Sequence, residues 1–197
     1  MVQNRAETLL QLKQIVREHS PFHGRSFHTS QTLPLQIPKA ALTEFSSSLG
    51  AGVTQAVLTF LKEQTGRVAW IEPHLTLYPP AVAQMKISSS RFFYLEAGAE
   101  PVWAALECLR SQLFSFVVLT DVGANEKDLR RLQMAAEKSG CTVLLIHHGE
   151  VNRTSWPLSQ HIQIQRWKGR LSVKTFSQSE SETEPTRSFS LREGAAG

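Results

Sequence analysis

Apolar side chains recur at three- and four-residue steps along residues 4–18. Ala6, Leu9, Leu12 and Val16 fall on one face, which predicts an amphipathic helix. The stretch 20–38 breaks that rhythm with Pro21, Gly24, Pro34 and Pro38 and reads as a connector with a short extended piece around Phe27. From residue 41 onward short apolar runs alternate with helical patterns. Strands are expected at 41–45, 67–72, 91–95, 114–120 and 142–146, the last two continuous enough to be buried on both faces. A Ser/Gly turn over 46–52 leads into a helix ending near Leu61, and a short helix fits 80–85. Pro101 opens a helix running to about Ser111, and Gly140 stops another that begins at Glu126. The period then changes to two: residues 161–167 and 170–176 alternate polar and apolar across Lys168 and Gly169, as in a β-hairpin. Beyond Ser177 the composition turns to Ser, Glu and Gly and predicts a disordered tail.

Strand–helix alternation with short connections predicts an α/β fold, a mainly parallel sheet with helices on both faces and a C-terminal hairpin. The chain divides accordingly into an N-terminal helix and connector (1–38), a core (39–176) and the tail (177–197). At 197 residues, 41% hydrophobic and 19% charged, it is long enough and apolar enough for one sizeable core. A formal net charge of +4 is compatible with a nucleic-acid neighbourhood but too scattered to define a surface; the densest stretch is Arg166, Lys168, Arg170 and Lys174. The two cysteines, Cys108 and Cys141, sit in apolar runs and read as buried thiols of a reducing compartment. No apolar run resembles a signal peptide or reaches the roughly 18 residues of a membrane span, so a cytoplasmic protein is expected.

Ligands of open α/β sheets bind beyond the carboxyl ends of the strands, so those ends hold the candidate chemistry. After the first core strand, small residues lead into a helix N-terminus, the geometry in which backbone N–H groups can cradle a phosphate. Set against the phosphate-loop pattern G-x-x-x-x-G-K-[ST], Ser47 takes the first glycine's position and Gly52 keeps the second. Val53 stands in place of the lysine, and Thr54 keeps the metal-binding hydroxyl. The next strand ends at Glu72, with His74 two positions on. The run 116–120 surfaces at Asp121, the pattern of a magnesium-holding carboxylate. His147 and His148 are adjacent on a strand and point to opposite faces, so no metal site is expected. No Gly-x-Ser-x-Gly elbow occurs, and nothing in the sequence pairs Ser46, Ser47 or Ser48 with a base. Arg130 and Arg131 either meet nucleic acid or an acidic partner, or belong to an ordinary solvated helix face.

From residue 42 to 176 the chain resembles the ImuA family, RecA-like accessory proteins of bacterial mutagenesis cassettes. The likeness is carried by residues 41–45 (ALTEF), 67–71 (RVAWI), 79–83 (PPAVA), 102–111 (VWAALECLRS), 129–137 (LRRLQMAAE) and the hairpin strand 170–176. The resemblance implies a three-layer RecA-like domain, of the phosphate-loop NTPase type, with a vestigial nucleotide site at Ser47, Gly52, Val53, Thr54, Glu72 and Asp121. In the RecA family a catalytic glutamate lies where His74 stands, so loss of both lysine and glutamate implies no enzyme activity and no bound cofactor. It also implies function in the DNA-damage (SOS) response, supporting error-prone translesion synthesis through contacts with an ImuB-like polymerase homologue and RecA. DNA contact would be indirect or weak, with Arg130, Arg131, Arg166, Lys168 and Arg170 as candidates. The N-terminal helix packs either on a neighbour or on its own domain. A division inhibitor of the SulA kind, which shares the reduced fold, and a weak DNA-dependent ATPase using Thr54, Glu72 and Asp121 remain as alternatives.

Overall fold

The computed structural model describes residues 26–149, 158–167, 170–177 and 187–189. The helix expected over 4–18 and Lys168 lie outside them. Ten strands are described: β1 Phe27–Thr29, β2 Gln36–Pro38, β3 Leu42–Ser47, β4 Val68–Glu72, β5 Phe92–Glu96, β6 Phe116–Thr120, β7 Thr142–His148, β8 Gln160–Trp167, β9 Arg170–Ser177 and β10 Arg187–Phe189. The α-helices are α1 Val53–Lys62, α2 Pro79–Gln84, α3 Pro101–Ser111 and α4 Glu126–Ser139.

Strands β3 to β10 form one sheet in the order β10-β9-β8-β3-β7-β6-β4-β5. Strands β8, β3, β7, β6, β4 and β5 run parallel, while the β8–β9 and β9–β10 pairs are antiparallel. This is the expected mainly parallel α/β sheet with its hairpin.

Because successive side chains on a strand point to opposite faces, each central strand feeds two cores. On one face Phe45, Trp70, Phe116, Val118, Leu144 and Ile146 pack against Val53, Ala56, Val57, Phe60 and Leu61 of α1. On the other, Leu42, Ile71, Val117, Leu119, Val143 and Leu145 meet α3 and α4. The buried positions of α1 and of α4 (Leu129, Leu132, Gln133, Ala136) recur at three- and four-residue steps, so burial of one stripe holds each helix to the sheet. Each such aliphatic or aromatic side chain contributes about 1.5–3 kcal/mol when buried. The buried Gln133 does not lack partners: its Oε1 accepts from the Leu42 amide at 2.8 Å, tying α4 to the start of β3.

Two expectations need correction. The stretch 26–38 is more than a connector: β1 and β2 pair as a small ribbon, and Leu33, Leu35 and Ile37 enter the core under α1. The extended piece expected around Phe27 is β1, whereas β2, three residues ending at Pro38, carries too little periodicity to be read in advance. The tail, expected to be disordered from 177, begins with a residue of β9, and its residues Arg187–Phe189 pair with β9 as β10. Polar composition hid that strand, whose partner edge supplies the hydrogen bonds.

Candidate functional site

The carboxyl ends of β3, β7, β6 and β4 bring the candidate residues to one edge of the sheet. From β3 the chain turns through Ser48–Gly52 into α1. Ala51 N donates to Ser48 O at 3.0 Å, and Ser47 Oγ donates to the same carbonyl at 3.0 Å. Gly50 and Gly52 take positive φ values of 78° and 91°, a region glycine enters without steric cost. Gly52 is the N-cap of α1; no side chain caps the helix and its first turn holds no acidic residue. Val53, where a phosphate loop carries lysine, is 1% exposed and belongs to the core beneath α1. Thr54 is half-buried beside it.

Arg166 arrives at this turn from β8. Its Nη2 donates to Gln55 Oε1 at 2.7 Å and lies 3.0 Å from where a Cβ on Gly52 would stand.

Asp121 leaves β6 with a left-handed backbone, φ 50°. Its amide donates to Ile146 O at 2.8 Å, and its Oδ1 accepts from the His148 amide at 2.8 Å. Oδ2 lies 2.5 Å from Nδ1 of the same histidine. The carboxylate thus straps β6 to β7, and both its oxygens are engaged. Strand alternation sends the preceding residue, Thr120, to the α1 face with Val118 and Phe116. Its buried hydroxyl has no hydrogen-bond partner.

Glu72 is 3% exposed. Its carboxylate accepts from Trp70 Nε1 at 3.0 Å, from Leu77 N at 3.0 Å, and from the amide and hydroxyl of Thr76. It therefore organises its own strand end and the turn after it. His74 projects into solvent, 3.7 Å from Glu96.

The structure brings Gly52, Val53 and Thr54 together with Arg166, and places Ser47 beside His148 across the β3–β7 register. Glu72 ends β4, separated from β3 by β7 and β6 in the sheet, and Asp121 is held against His148. Arg130 and Arg131 lie on α4, paired with Glu126 (2.6 Å) and Asp128 (3.7 Å) of the same helix. The Arg170 backbone belongs to β9. Among the described residues no cluster of three or more His, Cys, Asp or Glu side chains gathers as a metal site.

Sequence reasoning missed two pairs. One is Asp121–His148, whose partners end adjacent strands 27 residues apart. The other is Ser46–His161, with Oγ and Nε2 2.7 Å apart, the imidazole stacked on Phe176. Both depend on which parallel strands become neighbours, and no local pattern encodes that. Cys108 and Cys141 are buried free thiols; burial pushes both up, Cys141 to about 12.

No family model matches the chain, and no curated protein matches it in sequence. Among solved structures the crystal structure of the RadB recombinase is similar, with a TM-score of 0.60 over 78% of this chain and 88% of that one, at 14% identity. The fold is RecA-like. No helix among the described residues is long and apolar enough to cross a membrane.

A RecA-like fold implies a nucleotide and magnesium, and the residues at this edge do not fit that pair. Binding needs a cation on the phosphates, a free carboxylate for the metal and open space at the glycine-bearing turn. Here the lysine's position is held by Val53 inside the core and the Asp121 and Glu72 carboxylates are spent on protein donors, while the cation at the turn, Arg166, comes from β8 and is bonded to Gln55.

Proposed function

We propose that this chain is a non-catalytic RecA-like accessory protein of the DNA-damage response, working in the cytoplasm through protein contacts. The observation that carries this reading is the engagement of Asp121 by His148 and of Glu72 by its own turn, on a frame shared with a recombinase. A carboxylate that keeps two protein donors must give them up before it can hold a metal ion, and each charge-assisted bond costs about 1.5–3 kcal/mol to lose. The likeness of residues 102–111 and 129–137 to ImuA points to the narrower role: support of error-prone translesion synthesis, with an ImuB-like polymerase homologue and RecA as partners.

The test is an ATPase measurement on the full chain with DNA and RecA present, alongside capture of an ImuB-like polymerase homologue. The expected outcome is no turnover above background together with a retained complex. Turnover abolished by Asp121→Asn, a substitution that tolerates the left-handed backbone, overturns the non-catalytic reading. A division GTPase retained in place of the polymerase homologue overturns the translesion assignment.

A further inference from the structure

In a phosphate loop the bound anion organises the turn before the helix: backbone N–H groups converge on it, and glycine lets it approach. Here the turn keeps its glycine and its helix N-terminus, yet a different group approaches. A Cβ on Gly52 would meet Arg166 Nη2 at 3.0 Å, Leu171 Cδ2 at 3.4 Å and Arg166 Nε at 3.6 Å. Arg166 and Leu171 are register partners across the β8–β9 pair, so both contacts come from one hydrogen-bonded ribbon. Arg166 also reaches Gln55 Oε1 at 2.7 Å, one turn into α1.

We infer that the β8–β9 ribbon substitutes for a ligand: Arg166 and Leu171 order the turn between β3 and α1, so the cradle is held from within. The φ of 91° at Gly52 favours glycine, and a Cβ there would stand in contact with the ribbon's Arg166 and Leu171. A guanidinium beside the positive end of a helix is repelled by the dipole. Gln55 offsets part of that repulsion, and exposure of Arg166 to water screens more. A phosphate group approaching Gly52 from this side meets the guanidinium first and competes with Gln55 for it. The inference rests on the reading of an idle crevice, and not on any partner.

Hydrogen exchange of the amides 48–56 tests it, on the full chain and on Arg166→Ala and Arg166→Lys, each alone, with magnesium ATP and with inorganic phosphate at millimolar concentration. In the wild type the amides of Ala51 and Ala56, which donate to Ser48 O and Gly52 O, are expected to be protected without ligand and unchanged by either addition. In Arg166→Ala these amides should exchange about tenfold faster while β6 and α4 keep their protection, which separates local loosening from unfolding. Arg166→Lys keeps the charge without the planar fork and should fall between the two. New protection of Arg166→Ala by phosphate supports the inference, since an anion then orders the turn where the arginine stood. Unchanged exchange in Arg166→Ala overturns it. So does wild-type protection by ATP or phosphate that Arg166→Ala abolishes, because the arginine is then an anion ligand. ATP turnover with ligand-independent exchange would sink the proposed function alone.

Discussion

Glu72 and Val53 show how residues at strand ends can keep a familiar position while serving the fold. The Glu72 carboxylate is the acceptor for a buried indole N–H and for the amides that turn the chain away from β4. Glu72→Ala leaves those donors unpaired, and a loss of about 3 kcal/mol is expected from urea unfolding. Glu72→Gln keeps one acceptor oxygen and should lose less than half as much; equal stability of the alanine variant and wild type would show that the turn does not depend on the carboxylate. Val53, the first residue of α1, points into the core, so a lysine at that position has to draw its ammonium out of an apolar cluster before it can meet any anion. The valine at the position of a phosphate-loop lysine is thus a member of the core.

At the scale of elements, the β1–β2 ribbon closes the amino end of the sheet through His28. Its Nε2 lies 3.1 Å from Thr142 Oγ1, and its ring sits 4.7 Å from that of Phe116 and 6.3 Å from that of Phe60. Burial, with the nearby Lys39 charge adding to it, lowers the His28 pKa to about 4, against a smaller opposing effect of Gln64. The folded state thus prefers the neutral ring. The stabilisation is complete above the ordinary value of 6.5 and is lost as pH falls from there through about 4. The urea midpoint should fall across that window, and His28→Phe, which cannot take up the proton, should flatten this part of the profile; an unchanged slope would acquit His28. Glu63 ties the same ribbon to the end of α1 by accepting from the amides of Gln31 and Thr32, at 2.7 and 3.0 Å. The extended piece expected around Phe27 is β1, but its pairing with β2 and the contacts of His28 and Glu63 were not legible, because three-residue strands show no period. The helices were: α3 matched its proline start and α4 its glycine stop, since the signals at helix ends are local.

For the whole molecule, alternation of apolar runs with helical patterns was enough to foresee a mainly parallel sheet covered on both faces. Strand order was not foreseeable, because it is decided by contacts between segments far apart in the chain. Pairing of β3 with β7 on one side and β8 on the other brings Ser47 beside His148 and Ser46 beside His161. Arg166 likewise reads from sequence as one of several scattered cations, and only the turn of β8 toward α1 gives it Gln55. The two thiols have a practical consequence. They are the chain's only cysteines, Cys141 is 1% exposed and Cys108 9%, and burial disfavours the thiolate at both. A thiol-directed dye should therefore label the native chain only as fast as it opens, with both sites speeding up together as urea is raised. Rapid labelling of either thiol in native buffer would show an opening confined to the α3–α4 side. The unaltered chain thus carries its own clock for unfolding.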